Sequence, residues 1–396
     1  MKALVCALHT PWPPMSGVDL RCWQILNVLR ERAQVGLFAL AGNASPPAEF
    51  QSAPWRVTGS AARPLDQTSW LRHKDALPSD GYYDQRSAAE LRTLLDEFAP
   101  DVVVLDHLWM HSYEQVIRSR PSRLVLNAHN AESALARQLA DHETHPPGRL
   151  QRRIFAARVG RLETELSNRM DQIWVSSEDD RIRFRDDLRV RAPVHVIPNA
   201  VDLARYSTPG NRPPELDGLT GPFFLFAGVF HYSPNRHAAD FLIRELFPRL
   251  AQVYPEGRLL LVGANPTAAM LAAAEQDKRI VVTGRVPDAI PYLQHSSMLL
   301  TPLFEGGGTR FKIIEAFAAG LPVVSSATGV EGLGATPGEH FLLARDAGEF
   351  VNAISQLISD QRRRDTMVRS AAGFVERFSW SAARHAAGRA LGELES

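Results

Sequence analysis

Thr301-Pro-Leu-Phe-Glu-Gly-Gly-Gly-Thr-Arg-Phe-Lys-Ile-Ile-Glu-Ala-Phe-Ala-Ala-Gly320 reads as a buried strand ending near Pro302, a turn of three glycines, and an amphipathic helix from about Thr309 to Ala319 that Gly320 stops. Glycines let the backbone approach a ligand and turn its N–H groups inward, while a helix start supplies partial positive charge. That combination suits an anion, most naturally a phosphate. Arg310 and Lys312 are expected in the first helical turn, where the helix dipole prefers acids, and a bound anion would account for them. The plainer alternative is an ordinary strand-to-helix turn whose glycines only make the bend. Glu315 follows one to two turns into the helix, beside Ala316, Ala318 and Ala319. A carboxylate there can accept from two neighbouring hydroxyls, as acidic residues do with a ribose diol.

Outward from this segment, short runs rich in Val, Leu and Ile alternate with longer amphipathic stretches, the pattern of buried parallel strands joined by helices. Strands are expected at 3–8, 35–40, 102–105, 124–127, 173–176 and 194–197, and again at 223–227, 259–262, 280–283, 298–302, 322–325 and 341–343. The fold class is therefore α/β, with two doubly wound, Rossmann-like domains facing each other across a cleft, and ligands at the carboxyl ends of the strands. Ser207–Pro222 is dense in Pro and Gly and reads as the linker. The expected division is 1–206, a first Rossmann-like domain; 207–222, the linker; 223–378, a second Rossmann-like domain; and 379–396, a helix that could pack back on the first domain. Residues 44–79, rich in Pro, Ser and Ala without clear periodicity, read as a long excursion from the first domain.

The whole chain has 396 residues, 44 Lys+Arg against 44 Asp+Glu, and two cysteines. Neutrality argues against a protein that coats nucleic acid, which needs an excess of cations to neutralise phosphates. Cys6 and Cys22 carry no metal-ligand spacing and read as core thiols in a reducing compartment. No stretch reaches the roughly 18 apolar residues of a membrane span, and the apolar run after Lys2 is too short for a secretion signal, so a soluble cytoplasmic protein is expected.

The second half resembles the group 1 (family 4) glycosyltransferases of the GT-B architecture. The likeness is carried by Phe226-Ala-Gly-Val-Phe-His-Tyr-Ser-Pro-Asn235, Leu261-Val-Gly263, Val282-Thr-Gly-Arg-Val-Pro-Asp288 and the Gly-rich segment through Gly320-Leu-Pro-Val-Val324. The resemblance implies that Gly307, Gly308 and Thr309 offer backbone N–H groups to the donor diphosphate, with Arg310 and Lys312 adding charge. It also implies that Glu315 holds the ribose and that Arg285 and Val286 lie against the base, Val286 through its backbone. The plain reading of Val282–Asp288 is a strand and a helix-capping turn. Two departures stand out. Many members carry two glutamates separated by seven residues, yet the first of those positions is Gly307 here, with Glu305 displaced by two; the donor-sugar contact is then lost or moved to Glu305. Many also bring an Arg and a Lys from the opening of this domain to the diphosphate, and the matching turn 229–235 holds no lysine. Arg310 and Lys312 could take over that charge. Asn235 could contact phosphate or sugar, or cap the helix that follows.

In the first half, His9-Thr-Pro-Trp-Pro-Pro-Met-Ser-Gly17 resembles the family's first Gly loop, in which Gly17 would face the donor phosphates and acceptor; a bare proline-rich turn is the alternative. His129 ends the strand before Ala131, at the edge where ligands bind, and the resemblance implies that it orients a sugar or moves a proton. His107 is its rival, and a structural histidine lining the cleft is the bland reading. The helix around Gln151–Arg161 alternates cations with Ile154, Phe155 and Val159, a face suited to peripheral contact with anionic lipid or to an acidic or lipid-linked acceptor, or simply to water. Arg181, Arg183 and Arg185 extend it.

The implied function is transfer of a sugar from a nucleotide-diphosphate donor to a hydroxyl of a carbohydrate, lipid-linked or small-molecule acceptor, with retention of anomeric configuration. No Asp-x-Asp motif occurs, and Glu178-Asp-Asp180 reads as the acidic first turn of a helix, so neither a metal nor any cofactor beyond the co-substrate is expected. The competing readings are a sugar-nucleotide epimerase of the same fold, which would need paired acid and base groups, and a binding subunit without catalysis.

Overall fold

The computed structural model describes residues 1–395 apart from 15, 43–44, 52, 61–62, 66–70 and 72–75. Part of the expected 44–79 excursion, Met15 of the proline-rich loop and Ser396 therefore lie outside the described residues. Among those described, thirteen strands form two parallel sheets. The first holds β1 (Lys2–His9), β2 (Gln34–Ala41), β3 (Trp55–Val57), β4 (Val102–Asp106), β5 (Arg123–Asn127), β6 (Gln172–Val175) and β7 (Val194–Val196), in the order β3-β2-β1-β4-β5-β6-β7. The second holds β8 (Phe223–Ala227), β9 (Arg258–Val262), β10 (Ile280–Gly284), β11 (Met298–Thr301), β12 (Val323–Ser325) and β13 (Leu342–Leu343), in the order β10-β9-β8-β11-β12-β13.

All twelve expected strands are present, each end within one residue of its expected place. The thirteenth, β3, sits inside the stretch read as an excursion. It is three residues long at the sheet edge and joins β2 through Leu37, Phe38 and Ala39, too short a run to give a period. Inner strands are covered on both faces: Val103, Val104 and Leu105, or Leu299 and Leu300, are fully buried, as sheets sandwiched between helices require. In each sheet the strand order reverses once, between β1 and β4 and between β8 and β11. The loops leaving the carboxyl ends of those neighbours diverge and open a crevice, the usual ligand position in open α/β sheets.

The chain divides into two compact units, 1–199 with 383–396, and 200–382. The expected boundary at 206 is thus corrected to 199. The reason lies in the segment expected to be a linker, which is bound into the second unit. Gly210 N–H donates to Gln294 Oε1 (2.7 Å), Tyr292 Oη donates to Glu215 Oε2 (2.7 Å), and the Arg212 guanidinium lies 5.5 Å over the Phe223 ring. The helix Leu203–Ser207 is held likewise, by Gln294 Nε2 on the Tyr206 carbonyl (2.8 Å) and by the Arg205–Asp288 ion pair (3.2 Å). At the other end of the chain the helix Trp380–Glu395 begins in the second unit and passes into the first at Ala383. There it buries Ala383, Ala387, Ala390 and Leu391, and the Ala390 carbonyl accepts from Gln172 Nε2 of β6 (2.8 Å).

Cys6 and Cys22 are buried free thiols. Among the described residues no helix is long and apolar enough to cross a membrane, and no cluster of three metal-ligating side chains occurs.

Candidate functional site

In the second unit the site forms where β8 and β11 part. After β11 the chain runs through the glycines and enters the helix Phe311–Ala318, two residues later than expected. Gly308 has a φ of +75°, in the left-handed region, and Arg310 is extended (φ −90°, ψ 103°), so the chain cannot turn helical before Phe311. Thr309 and Arg310 therefore belong to the loop, and Lys312 alone of the two cations lies in the first turn.

Lys312 does not reach for water. Its ammonium lies 4.2 Å from the centre of the Phe226 ring on β8 and donates to Asn235 Oδ1 (2.9 Å), while Asn235 Nδ2 donates to the Val229 carbonyl (2.9 Å). Burial, reinforced by the charge of Arg310, lowers the Lys312 pKa to about 7. Asn235 is thus a tether between the β8 turn and Lys312. It does not cap its helix, Ser233–Phe241, whose N-cap is Tyr232 without a side-chain bond. Arg310 spends one nitrogen on the Gly307 carbonyl, and its Nε and Nη2 are buried without a hydrogen-bond partner. Two half-buried cations, one with idle donors, stand at a helix start behind a glycine loop, an arrangement whose chemistry suits an anion.

Glu315 lies one turn deeper on the helix and accepts from Tyr206 Oη at Oε1 (2.8 Å). Burial raises its pKa despite that bond and the nearby charge of Lys312, and burial together with Glu315 pushes the Tyr206 phenol up. Glu305, the stand-in for the family's first glutamate, is paired with His237 Nδ1 (2.7 Å) at the edge of the same loop. Arg285, exposed, and Val286, half-buried, follow β10, where Asp288 fixes the turn by accepting from the Ile290 N–H (2.9 Å).

The other candidate residues belong to the first unit. Gly17 opens the helix Gly17–Leu29, is exposed, and follows an N-cap Ser16 that forms a reciprocal capping box with Asp19. His129, nearly buried, belongs to a polar cluster at the carboxyl edge of β4 and β5. Its Nε2 lies 3.0 Å from Asp106 Oδ1, which also accepts from Asn127 Nδ2 (2.6 Å), and Asn127 Oδ1 accepts from Arg21 Nε (3.1 Å). Burial alone would raise the Asp106 pKa, but the charge of His129 and the hydrogen bonds of His129, Asn127 and Cys22 outweigh it and leave the pKa lowered. The His107 ring centre is 4.8 Å from that of His129, and its Nε2 lies 3.5 Å from Glu132 Oε1. Burial, then the charge of His129, lowers the His107 pKa to about 3, while burial with Glu163 and Asp180 nearby raises that of Glu132 to about 8, so both are neutral near pH 7. His107 has a φ of +93°, a strained conformation for a residue with a Cβ.

Sequence reasoning missed Asp106, Asn127, Arg21, Tyr206 and Phe226. Asp106 and Asn127 had a signal, a polar residue closing an apolar strand at the ligand edge. Arg21, Tyr206 and Phe226 had none, since their roles arise from partners 106 to 176 residues away or from a ring that reads as core. On the helix Pro146–Ser167, Arg152 pairs with Glu143, Arg161 with Glu165, and Arg158 donates to the Ala76 carbonyl, so that much of the basic face is already engaged. Arg181 and Arg185 pair with Glu178 and Asp186.

Two family models match adjacent parts of the chain: Glycosyltransferase Family 4 over residues 15–205 and Glycosyl transferases group 1 over residues 221–360. A phosphatidyl-myo-inositol mannosyltransferase of Mycobacterium leprae (strain TN) is 27% identical over 192 residues, 47% of this chain and 50% of that protein, so the match spans about half of this curated relative. Among solved structures, sucrose-phosphate synthase of Thermosynechococcus elongatus superposes with a TM-score of 0.75 at 17% identity, covering 100% of this chain and 99% of that one. HepE of Anabaena, solved in complex with UDP, superposes with a TM-score of 0.71 at 18% identity, covering 99% of this chain and 100% of that one. With its two α/β units matched in order by the family's two models and its fold shared with these proteins, the chain belongs to the group 1, family 4 glycosyltransferases of the GT-B architecture.

Proposed function

We propose that the protein transfers a sugar from a nucleotide-diphosphate donor to an acceptor hydroxyl, with retention of configuration and without a metal. The observation that carries the reading is the half-buried pair Lys312 and Arg310 at the start of the helix Phe311–Ala318, with Arg310 Nε and Nη2 buried and unpartnered. As the bond from sugar to diphosphate breaks, negative charge grows on the leaving phosphate. Fixed cations and backbone N–H groups at Gly307–Lys312 would stabilise that charge more in the transition state than in the ground state. Their positive charge takes the part a divalent ion plays elsewhere. Lys312, aimed at the β8 turn from across the site, supplies the lysine that 229–235 lacks. Glu315 would accept from the ribose at Oε2, because Tyr206 occupies only Oε1. The phosphate-and-ribose reading agrees with the UDP bound by HepE. The nucleobase would lie against Arg285 and Val286, and the first unit, with Gly17 and His129, would hold the acceptor.

The test is binding of UDP and GDP by calorimetry, followed by release of nucleotide from a panel of UDP-, GDP- and dTDP-sugars with cell-extract acceptors. Lys312→Ala is expected to weaken nucleotide diphosphate binding about 10- to 100-fold, the loss of one charged hydrogen-bond donor. Glu315→Gln is expected to weaken the diphosphates of ribonucleosides and leave inorganic pyrophosphate binding unchanged. Unaltered affinity in both variants overturns the reading.

A further inference from the structure

The polar cluster of the first unit is costly to bury. Arg21 is 2% exposed, Asp106 2% and Asn127 0%. A buried guanidinium and carboxylate without direct contact are tolerated only when intervening groups satisfy both. Here Asn127 does so, and its orientation is decided by Arg21. A guanidinium can only donate, so the oxygen of Asn127 must face Arg21 Nε, and its amide nitrogen must face Asp106 and His129. The other Arg21 nitrogens donate to the Ile197 and Val175 carbonyls, so the guanidinium is held by β6 and the end of β7 and cannot swing away.

His129 Nε2 then has two neighbours that ask for opposite states. The Asp106 carboxylate at 3.0 Å needs a proton on Nε2, while the Asn127 amide nitrogen at 3.3 Å would prefer a lone pair there. The carboxylate is nearer and carries charge, and charge-assisted bonds are about twice as strong as neutral ones. The hydrogen bonds it accepts from Asn127 and Cys22 favour its ionised form without any charge on His129. Asn127 already spends its amide on Asp106 at 2.6 Å.

We propose that Asp106, oriented by Asn127 and Arg21, is a positioning residue that locks His129 with its proton on Nε2 and leaves Nδ1 as a hydrogen-bond acceptor for a sugar hydroxyl at the carboxyl edge of the first sheet. The ligand class is a polyol acceptor, and the proposal rests on the glycosyltransfer reading and on the place given there to His129. The interaction orients the hydroxyl and needs no proton transfer. The charged and titratable groups around His129 are Asp106 and His107 at the end of β4, Arg21 and Cys22 on the helix after β1, and Glu132 on the helix Glu132–Asp141.

The test combines nitrogen-15 NMR of histidine-labelled full-length protein at pH 7.5 with kinetics of nucleotide release from the donor panel in the presence of cell-extract acceptors. In the wild type, His129 is expected to carry its proton on Nε2; a proton on Nδ1 overturns the proposal, whatever the variants do. In Asp106→Ala the Asn127 amide becomes the nearest partner, so the proton is expected to move to Nδ1. The release rate at saturating donor should fall about 10- to 100-fold with the donor KM unchanged. An unmoved proton in that variant also overturns it. Full transfer by His129→Ala refutes the place given to His129, and this proposal with it. Loss of transfer in His129→Ala with Asp106→Ala unimpaired overturns the proposal alone.

Discussion

Lys312 holds its charge where charge is disfavoured, between the Phe226 face, Asn235 and the neighbourhood of Arg310. With a pKa near 7 in the free protein, it is charged below that pH and increasingly neutral above it. A bound diphosphate favours the charged form, so binding must bring a proton to this side chain when the free protein lacks one. Calorimetry of UDP binding in buffers of different ionisation enthalpy is expected to show close to one proton taken up per site at pH 8.5 and almost none at pH 6. Affinity should fall with rising pH above about 7. The same uptake in Lys312→Ala would show that another group is responsible. Asp106 offers the converse case in the first unit, a buried acid whose pKa is lowered because three neighbours, His129, Asn127 and Cys22, favour its charge.

At the scale of the element, the glycine loop acts through its backbone path. A Cβ on Gly306 (φ +106°) would meet Arg310 Nη2 at 2.8 Å and both Pro234 Cγ and Tyr232 Oη at 3.2 Å. Gly306→Ala is therefore expected to cost about 1–3 kcal/mol, from left-handed strain plus overpacking, and to weaken UDP binding by displacing Arg310. Chemical denaturation and calorimetry check both effects, and wild-type affinity would separate the loop path from the anion site. Gly373 is the control, since it lies in the helix Gln361–Val375 and a Cβ there meets nothing within 4 Å. Gly373→Ala should raise stability by about 0.4–1 kcal/mol with UDP affinity unchanged.

At the scale of the molecule, each unit has its own core, and the last helix belongs to the first of them although nearly two hundred residues of the second unit precede it. Leu391, 1% exposed, packs in that unit, where Arg384 pairs with Glu31 and Glu393 with His195. Leu391→Ala is expected to destabilise the first unit by about 2–5 kcal/mol. Hydrogen exchange should quicken in peptides from 1–199 and stay as in the wild type across 223–375. Faster exchange confined to the second unit would contradict this assignment of the helix.

What the sequence determined by itself is whatever rests on local pattern. A buried parallel strand must be a short apolar run, and a phosphate turn must free backbone N–H groups, so both sheets, the glycine loop and the family likeness were legible from Ala3, Leu299 or Gly307 and their neighbours. The short edge strand Trp55–Val57 and the late helix start at Phe311 were not, because the first has too few residues to show a period and the second depends on the φ of Gly308. Only the tertiary structure decided which side chains meet. It bound 207–222 to the second unit through Gln294, Tyr292 and Phe223, and joined Asn235, a candidate ligand contact, to Lys312. It also placed Asp106 and Arg21 around Asn127 and His129, across 106 residues of chain. Burial and pairing are properties of the assembled neighbourhood, and no period or spacing in a linear chain encodes the distance between residues so far apart.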